Sequence, residues 1–71
     1  MNFYTVIEIQ EDAGGARGCI PVIYDDYGAA LAKFYSVCAA AAAGSLPYHA
    51  CAVLASGGAV TDQRIFDRRE A

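Results

Sequence analysis

One histidine, three cysteines and eight carboxylates are the groups in this 71-residue chain that could carry metal ligation, proton transfer or nucleophilic attack. His49 and Cys51 stand two residues apart, and on a strand they share one face. They supply two of the four ligands of a tetrahedral metal site, and no C-x-x-C knuckle supplies the others. As a thiolate–imidazole pair they fare no better, because same-face neighbours on one strand sit about 7 Å apart. Asp25 and Asp26 are adjacent, so on a helix they point in different directions and suit capping rather than shared acid and base work. Ser36, Ser45 and Ser56 lie in no G-x-S-x-G elbow. The pairs Gly14-Gly15 and Gly57-Gly58 lack the lysine of a phosphate loop and fall between strands. No catalytic set emerges, which points to a binding protein without cofactor or metal rather than an enzyme.

Binding calls for different groups. Five tyrosines and no tryptophan supply flat, amphipathic faces, suited to stacking on a base or a partner. Arg17, Lys33 and Arg64 are cations embedded in an acidic chain, and each could meet a phosphate or a carboxylate. The candidate ligand-binding residues are therefore Arg17, Tyr24, Tyr27, Lys33, Tyr35, His49 and Arg64. Backbone N–H groups at a helix start would assist a phosphate, although Asp25 and Asp26 oppose it there.

Five basic against eight acidic residues give a net charge of −3, which leaves no basic stripe for a nucleic-acid backbone. Fifteen alanines make up much of the apolar fraction. The most apolar stretch, residues 34–54, is alanine-rich and broken by Ser36, Gly44, Ser45, Pro47 and His49, so no membrane span is expected. Met1-Asn2-Phe3-Tyr4 carries no basic, then apolar, leader pattern, which predicts an intracellular protein. Cys19, Cys38 and Cys51 form an odd set without paired spacing and are expected as reduced, buried thiols. The length allows one small domain, residues 1–71.

These residues must be positioned by few elements. Asn2–Gln10 alternates as a strand, with Phe3, Ile7 and Ile9 opposite Tyr4, Val6 and Glu8. A Gly-Gly turn leads into a second strand, Gly18–Tyr24, where Pro21 argues for an edge or a bulge. Asp25-Asp26 then caps a helix over Tyr27–Ala43 that ends at Gly44. Tyr48–Ala55 forms a third strand with apolar residues on both faces, which calls for cover on both. Ala59–Phe66 forms a fourth, with Val60, Asp62, Arg64 and Phe66 on one side, and Asp67–Ala71 should be a solvated tail. The fold class is α+β: ββαββ, a four-stranded antiparallel sheet with one helix packed on one face. A single helix leaves the other face bare. A homo-oligomer is therefore expected, either sheet on sheet or through close helix approach along Ala39–Ala43.

With that order, the segments Phe3-Tyr4-Thr5-Val6-Ile7-Glu8-Ile9-Gln10, residues 33–42 and residues 45–54 are similar to those of short proteins encoded by phages and prophages of gut bacteria. The resemblance carries no catalytic signature. It implies the cytoplasm of a bacterial host and one of two roles: an early protein that blocks a bacterial defence, or a small accessory or virion-associated protein. Combined with the tyrosines and cations, it favours an oligomer that sequesters a small nucleotide-like immune signal. The alternative is a module that inhibits a host protein by binding it.

Overall fold

The computed structural model describes residues 2–69 and runs β1 (Tyr4–Glu11), β2 (Arg17–Tyr24), α1 (Tyr27–Ala43), β3 (Tyr48–Ala55) and β4 (Val60–Asp67). Each turn has a local cause. Asp12 Oδ1 accepts the backbone N–H groups of Gly14 (2.9 Å) and Ala16 (3.0 Å), and Gly15 takes the left-handed φ of +86° that closes the first hairpin. Gly58, at φ +95°, does the same for the second and donates its N–H to Ala55 O at 2.8 Å. A side chain at either position would meet the steric penalty of positive φ. Asp26 is the N-cap of α1, accepting from Ala29 N at 2.9 Å.

The sheet order is β2-β1-β3-β4, with every neighbouring pair antiparallel. Because β2 and β3 both oppose β1, they run parallel to each other, and α1 crosses over β1 to join them. Pro21 lies on an edge strand, where its missing N–H breaks no second ladder. The covered face packs Val6, Cys51 and Val53 beneath Ala30, Phe34 and Val37 of α1, with Tyr4, Tyr24 and Cys38 at the margin. Ala30 is fully buried, and its small side chain lets the helix approach the sheet. Of the run Ala39–Ala43 only Ala41 is buried, so the alanine stripe faces mostly outward.

Among the described residues no helix or strand covers the opposite face, where only the Arg69 guanidinium lies over Tyr48 at one end. Its four cross-strand rows are Ile23–Thr5–Leu54–Val60, Pro21–Ile7–Ala52–Gln63, Cys19–Ile9–Ala50–Ile65 and Arg17–Glu11–Tyr48–Asp67. Three rows are largely apolar and the last is charged. Ile23 is 65% exposed and Ile65 54%.

Three local expectations are corrected. A bulge at Val53/Leu54 pairs Leu54 with Val60 and Val53 with Asp62, so Thr61 is the extra residue and Val60 drops out of the series Asp62, Arg64, Phe66. The Thr61 hydroxyl oxygen lies 3.3 Å from Val53 O, while its one proton goes to the nearer Asp62 Oδ2 at 2.9 Å. Residues 67–69 are exposed, as expected, but they are anchored and form no free tail. Asp67 closes β4, Arg68 N donates to Pro47 O at 2.7 Å, and the Arg69 guanidinium stands over the Tyr48 ring at 4.5 Å; Glu70 and Ala71 lie outside the described residues. Finally, Cys19 is exposed rather than buried, because it sits on the uncovered face of the edge strand, while Cys38 is half-buried and Cys51 buried.

Candidate functional site

A groove of about 360 Å³ lies between α1 and β4. Helical spacing brings Phe34, Tyr35, Cys38 and Ala42 to one wall, and strand alternation brings Asp62, Arg64 and Phe66 to the other. It exists because the helix sits mainly over β1 and β3, which leaves β4 uncovered along one flank. Small residues widen it: Ala39 and Ala42 line the helix side where larger side chains would fill the space.

The groove is aromatic with a cation in it. The rings of Phe34 and Tyr35 meet edge-on at 5.5 Å between centroids, and Tyr35 is 61% exposed. The Arg64 and Arg68 guanidinium carbons each lie 5.7 Å from the Phe66 ring centroid. Arg68 is committed elsewhere, donating to the carbonyls of Ala41 (2.8 Å), Ala42 (3.4 Å) and Leu46 (3.3 Å) at the helix end. Arg64 forms no salt bridge among the described residues. At one end Asp62 Oδ2 accepts the Tyr27 hydroxyl at 2.6 Å and the Thr61 hydroxyl at 2.9 Å. The bond to Asp62 is the main reason the Tyr27 phenol ionises above its usual range. Desolvation pushes the Cys38 thiol up despite the pull of Arg64, so at neutral pH it stays protonated and is a poor nucleophile.

The seven candidate residues separate into distinct places. Tyr35 and Arg64 share the groove, and Tyr27 reaches its end through Asp62. Tyr24 packs against the core. His49 is buried, its Nε2 2.7 Å from Glu8 Oε2, and the Lys33 charge also bears on Glu8. Arg17 belongs to the other face, where its Nε donates to Glu11 Oε1 at 2.7 Å. Phe34, Asp62 and Phe66 complete the groove and were not singled out from sequence. The alternation Asp62, Arg64, Phe66 was a signal that could have found two of them, since it places both beside Arg64.

No cluster of three or more potential metal ligands occurs among the described residues, and no helix is long and apolar enough to cross a membrane. No protein family, curated protein or solved structure shows a significant match to this chain.

Proposed function

We propose that this chain is a small non-enzymatic binding protein whose groove between α1 and β4 holds a planar, anionic, nucleotide-like ligand. The observation that carries this reading is Arg64, a guanidinium with no carboxylate partner among the described residues, on the β4 wall of a groove of about 360 Å³ that Phe34, Tyr35 and Phe66 also line. Tyr35 offers a face for a base to stack on, and Arg64 offers a two-pronged donor to a phosphate. The volume lies at the small end of ligand sites, which suits a mononucleotide-sized group. Nothing lining the groove is poised to react with the ligand, since the Cys38 thiol is held protonated and Asp62 is already bonded to Tyr27 and Thr61. In the phage setting implied by the sequence resemblance, such a protein would sequester a nucleotide immune signal in the host cytoplasm.

Native mass spectrometry and thermal shift with mononucleotides and cyclic dinucleotides test this. A ligand should raise the melting temperature by mass action and be released unchanged on denaturation. Arg64→Ala and Tyr35→Ala should each weaken binding by about tenfold or more, as expected for losing a charged hydrogen bond or a stacked base. Binding that survives both substitutions, or no binding at millimolar ligand, overturns the reading.

A further inference from the structure

The open sheet face is not flat. β1 raises Ile7 and Ile9 from it, whereas β3 places Ala52 and Ala50 directly beside them. The result is a ridge next to a trough, and the trough is a depression of about 130 Å³ whose far wall is Gln63 and Ile65.

We propose that a second copy of this chain covers this face, packed sheet on sheet about a two-fold axis that runs along the strands between β1 and β3. That operation lays β1 over the partner's β3 and β2 over the partner's β4, keeping each cross-strand row in register with itself. Ile7 and Ile9 of each copy then enter the trough above the other copy's alanines, twice over, as an isologous interface requires. The charged row agrees. Arg17 at one end comes opposite the second copy's Asp67 at the other, and the row as a whole is balanced, with Arg17 and Arg69 against Glu11 and Asp67. The other face-to-face two-fold, across the strands, would lay this charged row on the apolar row of Ile23, Thr5, Leu54 and Val60 and bury charge without partners. It is disfavoured for that reason.

Size fits as well. Four strands of eight residues cover roughly 19 by 26 Å at the usual strand spacing and rise. Two such faces bury about 1,000 Å² together, the size at which specific interfaces begin. Sheets joined this way pack as an aligned sandwich about 10 Å apart. The groove on the helix side stays open in the dimer.

The test is sedimentation equilibrium over a micromolar range, with circular dichroism confirming that each variant folds. The wild-type chain should be a dimer. Ala52→Ile fills the trough and Ile7→Ala removes the ridge, so each should weaken the dimer by about tenfold or more, although the first makes the face more apolar. The double swap Ile7→Ala with Ala52→Ile moves the ridge to β3 and should restore association to within a few-fold. Ile65→Lys, at a position already more than half exposed in the single chain, should dissociate the dimer without disturbing the fold. A wild-type monomer throughout the range overturns the proposal. So does tighter association of Ala52→Ile, a double swap no better than the weaker single, or an Ile65→Lys variant that remains dimeric.

Discussion

Nε2 of His49 lies 2.7 Å from Oε2 of Glu8, joining β3 to β1 across the covered face of the sheet. Gln10 Nε2 donates to the same carboxylate oxygen at 2.8 Å. Burial alone would raise the Glu8 pKa, but the bonds from His49 and Gln10, with the charges of His49 and Lys33, outweigh it and hold the group below its ordinary 4.5. A carboxylate with a depressed folded pKa contributes stability that is complete above the unfolded value and is lost as pH falls through the folded one. Thermal unfolding between pH 3 and 7 should therefore show an acid limb beginning near 4.5. Glu8→Gln should cost about 1–3 kcal/mol at neutral pH and flatten that limb. A variant curve parallel to the wild type would mean the pair contributes nothing to acid sensitivity.

Much of this arrangement is legible in the sequence because it is local. Period-two alternation sets the faces of β1 and β2, Asp26 announces the helix start, Pro21 announces an edge, and the bare second face follows from counting one helix against four strands. What is not legible depends on the third dimension. His49 and Glu8 are 41 residues apart and become partners only through the register of β1 with β3. Arg68 looks like part of a charged terminus until β4 carries it beneath the helix end. Pattern alone placed Val60 with Asp62, and the bulge that separates them arises from how β4 pairs with β3. The candidate binding residues scattered for the same reason: tyrosines and cations recognise ligands by type, but only the crossing of α1 over the sheet decides that Tyr35 and Arg64 meet while Arg17 faces the other way.

Arg68 should matter to the fold more than its terminal position suggests. Its guanidinium satisfies carbonyls of the last turn of α1, where the helix leaves acceptors unpaired and a positive charge suits the dipole. Arg68→Ala should lower stability by about 1 kcal/mol and speed amide exchange around residues 41–46. Unchanged exchange there would show that the helix end is held by Gly44 and packing alone.

The three thiols should separate by reactivity. Burial pushes Cys51 up to about 11, Cys38 is raised less, and Cys19 stands exposed on the open face. Since the thiolate is the reactive form, a maleimide at pH 7.5 should label Cys19 first, Cys38 slowly and Cys51 only on unfolding. The Cys19 rate should also fall as protein concentration rises, because a second copy on the sheet face would screen it. A rate independent of concentration would count against that interface while leaving the order of the three thiols intact.

Tyr27 and Asp62 close one end of the groove, and their bond has a signature that can be read directly. The Tyr27 hydroxyl donates to Asp62 Oδ2 at 2.6 Å and its ring packs on Tyr4 at 5.1 Å between centroids. Ionising the phenol would lose that hydrogen bond and set two negative groups side by side, which is why its pKa lies above the ordinary 10. A folded pKa raised in this way contributes stability that is present below the unfolded value and is lost as pH climbs through the folded one. Ultraviolet titration should find one late-ionising tyrosine, and Asp62→Asn should return it toward 10 by removing the charge while keeping an acceptor. The same substitution takes a carboxylate out of the groove that Arg64 shares, so it should strengthen binding of an anionic ligand there. Weaker binding would instead make the Asp62 carboxylate itself a contact for the ligand.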